Sequence, residues 1–298
     1  GTLSQQRSRD RARPRHMVPK LFDWLPSSMS LSRWTPYELM LALAFSLGLA
    51  WLIRWGASKG YPARRLLGVG LFVMAGALLG ARWLPWWLSG RPGFASAHEL
   101  PLFAYGGFVG GAVALFAGAR LGRVSLAGAF DAVAPATAMG LALARVGCFL
   151  TGCDYGDPCA RPSLLASTAV QYPAWSTPVN AQLSAPAHVD HVARAWVAPS
   201  AVSSLPIYPV QLYESLLGLV LFVVVLQVDP GRPWRRGVVL AAGYAIGRFL
   251  LEFLRGDADR GLRVWHTALT SSQLLSVAVL CFVGAVACTQ RWRSRRAP

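Results

Sequence analysis

Seven apolar runs recur along the chain, at about 36–54, 66–88, 101–119, 125–145, 209–228, 237–255 and 270–289. Each approaches the ~20 residues that an α-helix needs to cross a hydrocarbon core. One long polar interval separates the fourth run from the fifth. It covers about 157–206 and carries Pro158, Pro162, Pro173, Pro178, Pro186, Pro199 and Pro206. The pattern predicts an all-α, polytopic membrane protein with about seven transmembrane helices and one extramembrane loop or cap. The third run, FAYGGFVGGAVALFAGA, is glycine-rich, which leaves a broken or re-entrant helix open. Irregular backbone is tolerated at membrane depth only where protein or a cavity surrounds it. The same glycines would let a neighbouring helix or a lipid approach closely.

Composition sharpens this picture. Of 298 residues, 54% are apolar and 14% charged, whereas soluble domains carry about 25% charged residues. Disorder, collagen-like repeats and a small disulfide scaffold are excluded, since five cysteines in this length are ordinary. The net charge of +16 lies mostly on arginines in short stretches between the runs. That distribution reads as a topology signal, not as a nucleic-acid surface, so no nucleic-acid partner is expected.

Positive residues favour the cytoplasmic side. The tail at 290–298, with Arg291, Arg293, Arg295 and Arg296, is therefore expected inside. Counting back, the loops with Arg232, Arg235 and Arg236, with Arg120 and Arg123, and with Arg54, Lys59, Arg64 and Arg65 also fall inside. The N-terminus and the 157–206 segment then fall outside. The tail at 1–35 conflicts with this, because it holds Arg7, Arg9, Arg11, Arg13 and Arg15. Residues 1–16 are read as a tag, a processed remnant or a mis-assigned start before Met17. No secretory signal is evident. The expected organisation is a tail at 1–35, a membrane domain at 36–289 and a basic cytoplasmic tail at 290–298.

Ionisable groups inside apolar helices cost about 2.5–3.5 kcal/mol each at the bilayer centre, and so mark candidate sites. Tyr244, Arg248, Glu252 and Arg255 follow one another at helical spacing and share one face. An internal Arg248–Glu252 pair, or snorkelling at the helix end, is the alternative for this set. Gln211 and Glu214 share a face at the start of the fifth run, where an acid also suits the helix dipole. Arg145 ends the fourth run beside the glycine-containing VGCFLTGCDYG, with Asp131 as a possible partner. Guanidinium groups grip phosphate bidentately, so the sets point together to a lipid phosphate.

His188, Asp190 and His191 make a metal site conceivable, but a solvated polar turn is the preferred reading, since no third ligand stands at a recognisable spacing. The cysteines show no metal-ligand spacing. Cys148 and Cys153 could be redox-active, acyl-carrying or simple packing residues, and Cys153 could pair with Cys159. Cys281 and Cys288 read as packing residues.

RVGCFLTGCDYG, YPVQLYESLLG, GYAIGRFLLEFLR and TSSQLLS occur in this order, and the pattern resembles the prolipoprotein diacylglyceryl transferase family. The resemblance covers about 36–289. It implies seven spans with the N-terminus outside, in a bacterial inner membrane. It implies transfer of diacylglyceryl from phosphatidylglycerol to the lipobox cysteine of a preprolipoprotein signal peptide, with no cofactor and no metal. By position, Arg145 and Arg248 would hold the phosphate, with Gln211, Glu214 and Gly156 in the same subsite. Glu252 would orient Arg248, and Tyr244 would bond the headgroup or the attacking sulfur. The sequence departs from the family where Tyr105 stands in place of a histidine before Gly106 and Gly107. Cys148 and Cys153 replace an asparagine and a glutamate, and Thr151 a second asparagine. That histidine is the natural candidate for a base. Tyr105, with a pKa of about 10, is mostly protonated at pH 7 and a poorer one, so the departures bear on thiol activation. A phospholipid-dependent transferase with another acceptor, or a non-catalytic lipid-binding or transport protein, are the alternatives.

Overall fold

A computed structural model describes residues 36–89, 104–159, 164–174, 185–229, 233–257 and 269–294. The expectations placed on residues 1–35 and on the side chains of Tyr105 and Cys288 lie outside the described residues. Helices α1 (Pro36–Ser58), α2 (Ala63–Ser89), α3 (Ala104–Leu121) and α4 (Leu126–Thr151) precede the long polar interval. Within it lie a 3₁₀ turn (Leu164–Thr168) and α5 (Pro186–Ala193). Then come α6 (Val210–Gln227), α7 (Arg235–Leu251, continued by a 3₁₀ turn at Glu252–Leu254) and α8 (Ser271–Ser294).

Every predicted run falls on a helix. Five stretches are long and apolar enough to cross a membrane: Pro36–Ser58, Ala63–Trp83, Leu126–Thr151, Val210–Gln227 and Arg235–Leu254. Gly106–Leu121 and Ser271–Ala285 are shorter apolar helices. The chain is an all-helical polytopic membrane protein.

The helix ends follow from local chemistry. Pro36 and Pro186 open α1 and α5, at a position where a missing N–H costs nothing. Ser125 Oγ caps α4 by accepting the Gly128 N–H (3.3 Å). At α8 the Thr270 hydroxyl accepts the Gln273 N–H (3.3 Å) while Gln273 Oε1 accepts the Thr270 N–H (3.0 Å). This reciprocal box is encoded by the TSSQ run.

One packing unit comprises Leu43–Gly140 and Leu219–Ala241. Its core gathers Leu52, Leu66, Val69, Leu115, Ala119, Val124, Ala129 and Ala132. Gly76 and Gly80 of α2 face Gly106 and Gly110 of α3, one helical turn apart on each side. A Cβ on Gly80 would stand 2.2 Å from the Gly106 carbonyl oxygen, and one on Gly110 equally close to that of Gly76. Over Ala104–Leu121 the glycine-rich third run is a continuous helix and not a broken one. Its glycines serve backbone contact with α2. In the same unit Asp131 Oδ1 accepts the Gly237 N–H (3.2 Å) in the first turn of α7, so this buried acid acts as a helix cap.

The other unit comprises residues up to Ala42, Leu141–Gly218 and Ala242 onward. The segment after α4 is a packed cap. Tyr155, Tyr172, Ala185, Ala187 and Ile207 form its core. Val170 and Ile207 exchange both backbone hydrogen bonds at 3.0 Å, and Ser204 N–H donates to the Tyr172 carbonyl (2.8 Å). His188 and His191 lie on α5 and are buried, which corrects the reading of a solvated turn. His191 Nδ1 accepts the Leu205 N–H (3.2 Å), His188 Nε2 meets the Ala201 carbonyl (3.0 Å), and Tyr155 Oη donates to Asp190 (2.6 Å). All three candidate ligands are thus engaged in holding the cap together.

Two outcomes are expected. Gly110→Leu should overpack the α2–α3 contact by about 1–3 kcal/mol. It should lower the thermal midpoint in detergent, whereas Gly68→Ala, where nothing stands within 4 Å, should not. Burial, reinforced by Arg194, holds the His191 imidazole below its ordinary value. The unfolded imidazole takes a proton below about pH 6.5 while the folded one resists, so stability present above that pH is lost as pH falls. Hydrogen-exchange protection at Leu205 should drop between about pH 6.5 and 5, and His191→Gln should abolish that dependence.

Candidate active site

Three helix ends and the segments that follow two of them bring the charges together. Arg145 projects from the last two turns of α4, Glu214 from the second turn of α6, and Arg248 with Glu252 from the end of α7. Asp154 follows α4 in the loop. Arg255 and Asp257 follow the 3₁₀ turn. A short backbone junction aligns these last groups. Gly156 pairs with Arg255 as an antiparallel bridge, Asp157 N–H donates to the Leu254 carbonyl (2.8 Å), and Gly256 N–H donates to that of Tyr155 (3.1 Å). Gly156 has no room for a side chain, since a Cβ would lie 2.4 Å from the Tyr208 carbonyl oxygen. Its backbone seats Arg255 beside Asp154.

The charges alternate. Glu214 divides its carboxylate between Arg145 (Nε to Oε2, 2.5 Å) and Arg248 (Nη1 to Oε1, 2.9 Å). Asp154 likewise pairs with Arg145 through Oδ2 and with Arg255 through Oδ1 (2.7 Å). Arg255 grips Asp257 bidentately at 2.8 and 2.5 Å. Arg248 Nη1 lies 2.7 Å from Glu252 Oε2, a charge contact without hydrogen-bond alignment. Arg248 Nη2 also donates to Ser272 Oγ (3.3 Å), and Thr270 Oγ1 donates to Glu252 Oε1 (2.9 Å). The sequence of contacts is Asp257, Arg255, Asp154, Arg145, Glu214, Arg248, Glu252. Glu214, Arg248, Glu252, Arg255 and Asp257 are buried, whereas the Asp154 side chain is 32% exposed, so solvent reaches the network at Asp154. Burial pushes the Asp154 carboxyl upward, but Arg145 and Arg255 outweigh it and hold the group below the usual carboxylate range.

Arg145, Arg248, Glu214 and Glu252, all expected in the site, therefore meet. Tyr244 is half-buried one turn before Arg248 and within electrostatic range of Arg145. Gln211 is fully buried and braces the loop instead of facing a guanidinium. Its Nε2 donates to the Cys153 carbonyl (2.7 Å) and to Tyr172 Oη (3.2 Å). Asp131 is not the partner of Arg145. Its carboxylate caps α7, and Glu214 and Asp154 take that role. Cys153 and Cys159 are free thiols, and Cys153 lies against Cys148.

Asp154, Asp257, Thr270 and Ser272 were missed as site residues, and Arg255 was placed on the charged face without a partner beyond Glu252. Tyr37 was also missed. It packs on Gly147 and lies within electrostatic range of Arg145, Cys148, Cys153 and Asp154. The available signal was charge balance, because three arginines gathered in one cluster need more acids than Glu214 and Glu252 supply.

Comparison with known proteins bears on this geometry. A family model described as prolipoprotein diacylglyceryl transferase matches residues 28–289. The chain belongs to that family. The phosphatidylglycerol–prolipoprotein diacylglyceryl transferase of Paraburkholderia xenovorans (strain LB400) is 30% identical over 286 residues, covering 89% of this chain and 91% of that protein. A protein of the same name from Methylibium petroleiphilum (strain ATCC BAA-1232 / LMG 22953 / PM1) is 31% identical over 281 residues, covering 88% and 92%. One from Clostridium tetani (strain Massachusetts / E88) is 23% identical over 251 residues, covering 81% and 87%. The family match contains the whole charge network.

Breaking a buried ion pair from one side costs about 3–5 kcal/mol, because the partner's charge stays buried. Glu214→Gln strips a shared carboxylate from two guanidinium groups at once. The variant should show a clearly lowered thermal midpoint in detergent, and an unchanged midpoint would mean that the network does not depend on Glu214.

Proposed function

We propose that this family member transfers the diacylglyceryl group of phosphatidylglycerol to the lipobox cysteine thiol of a preprolipoprotein signal peptide. A thioether forms and glycerol phosphate leaves. The observation that carries this reading is the pair of guanidinium groups, Arg145 and Arg248, joined through one carboxylate.

The chemistry follows from what the reaction must stabilise. Charge develops on the departing phosphate oxygen, and preorganised donors aimed there lower the barrier most. Arg145 and Arg248 are held in place by Glu214, and Arg248 also by Glu252 and Ser272. A phosphate arriving at the site meets donors already oriented, and its charge takes over part of the role that the carboxylates play without it. Tyr244, half-buried one turn before Arg248, would hydrogen-bond the headgroup or the attacking sulfur. Gln211 and Gly156 shape the subsite through the backbone they brace.

The same reading puts the protein in a bacterial inner membrane. The N-terminus and the cap would lie on the outer side, where signal peptides emerge, and the C-terminus in the cytoplasm. Tyr105, at the family's histidine position, favours one second reading, a transferase that uses another acceptor or a different way to activate the thiol.

The test is rescue of a strain depleted of its own transferase, scored by mature lipoprotein and thioether-linked diacylglycerol. The wild-type chain should restore both, and Arg248→Ala should lose about 10²–10³-fold in transfer rate, the scale for removing a transition-state donor. Good expression without rescue would overturn the reading. Lipid co-purification abolished by Arg248→Ala, again without turnover, would indicate a lipid-binding protein instead.

A further inference from the structure

The end of α4 builds a second constellation. Gly152 takes a left-handed conformation (φ 76°), and the chain turns back so that both Gly152 N–H (2.8 Å) and Cys153 N–H (3.2 Å) bond the Cys148 carbonyl. A helix that closes this way brings the residue after the glycine against the residue five positions earlier, ordinarily as an apolar contact. Here those residues are both cysteines. The next residue, Asp154, sets its Oδ2 3.5 Å from Cys148 Sγ. The two sulfurs and a carboxylate oxygen lie within 4.8 Å of one another, the single such set of three metal-capable donors among the described residues.

We infer that Cys148, Cys153 and Asp154 hold a thiophilic divalent ion of the zinc type, whose open fourth position takes the acceptor thiol. The metal site stands on this geometry alone, and only its fourth ligand rests on the transferase reading. Zinc lies about 2.3 Å from thiolate and about 2.0–2.2 Å from carboxylate, so a tetrahedral site has a sulfur–oxygen edge of roughly 3.6 Å. The Cys148–Asp154 separation matches that edge. Two sulfur donors select against magnesium and calcium, which prefer all-oxygen shells. Three protein ligands with one open position are the pattern of reactive zinc sites, whereas structural sites are closed by four. Asp154 is the exposed member of the charge network, so solvent reaches the site at that ligand. Two thiolates, a carboxylate and a divalent ion carry one net negative charge. Arg145 stands ready to balance it, with Nη1 3.8 Å from Cys148 Sγ and also paired with Asp154.

The site answers a chemical need. An unaided thiol of pKa about 8.5 is mostly protonated at neutral pH, and a tyrosine of pKa about 10 is a poor base for it. A thiol that coordinates zinc is deprotonated outright. Its proton passes to water, the sulfur lone pair forms the bond to the glyceryl carbon, and the carbon–oxygen bond breaks with its electrons going to glycerol phosphate. Arg145 borders both places, bonded to Glu214 on one side and beside Cys148 on the other.

The test uses the full chain in detergent, reduced and stripped with chelator. It should bind one Zn²⁺ per chain in competition with a chromophoric chelator, and Co²⁺ should give thiolate-to-metal charge-transfer absorption. Cys148→Ser, Cys153→Ser and Asp154→Asn should each weaken binding at least tenfold, and the double serine variant should lose the absorption. Cys281→Ser, an exposed thiol in the last helix, should change nothing and serves as the folding and thiol-count control. A peptide carrying a lipobox cysteine should shift the Co²⁺ spectrum, and its serine counterpart should not. Equal binding by wild type and the double serine variant would overturn the site, as would a Cys148–Cys153 disulfide found by thiol alkylation of native membranes. A silent spectrum with the cysteine peptide would overturn the fourth-ligand assignment. Zinc binding without rescue of the depleted strain would leave the metal site standing and remove the transferase reading. Rescue without zinc binding would do the reverse.

Discussion

Glu214 is held between two arginines, and much of the site's architecture is arranged around that sharing. A single guanidinium at membrane depth is costly, and two side by side would repel. One carboxylate between them turns the repulsion into a bridge, but only if α4, α6 and α7 end at the same depth with these residues facing inward. The same logic repeats at Asp154, which joins Arg145 to Arg255. Buried pairs of this kind add little net stability over apolar packing, yet they are expensive to break. They therefore enforce one arrangement of the segments that carry them more than they strengthen the fold.

The cap and the last helix serve that arrangement. The bridge between Gly156 and Arg255 is pure backbone, and it needs a glycine because the Tyr208 carbonyl fills the space a Cβ would take. The box at Thr270 and Gln273 starts α8 and, with the same hydroxyl, tethers Glu252. One residue thus starts a helix and holds the Glu252 carboxylate. Gln211 works similarly, tying α6 to the loop that presents Cys153 and Asp154.

The helices were readable because apolar runs of membrane length permit few alternatives. Arg145, Glu214, Arg248 and Glu252 were readable because charge is rare there, so each one stands out. What failed was pairing. Asp131 and Arg145 share one helix, yet Asp131 serves a backbone N–H of α7, a partner more than a hundred residues away that no local spacing encodes. The glycines of α3 were ambiguous for a related reason. Glycine permits both a broken backbone and a tight helix contact, and only the matching glycines of α2 select the second. The histidines of the cap looked solvated because their neighbours are polar, while the tyrosines that bury them lie elsewhere in the chain.

Asp154 couples the two constellations. Its Oδ2 faces both Arg145 and Cys148, and one oxygen cannot serve a guanidinium and a divalent ion at full strength. An ion bound there as proposed would share that oxygen and weaken its hold on Arg145 Nη1, leaving Arg145 Nε on Glu214. On the proposed transferase reading, the loosened donor would turn to the phosphate of the lipid. Preparing the acceptor thiol and readying Arg145 for phosphate would then be a single event. The residue that makes this possible is the one carboxylate in the network that solvent can reach.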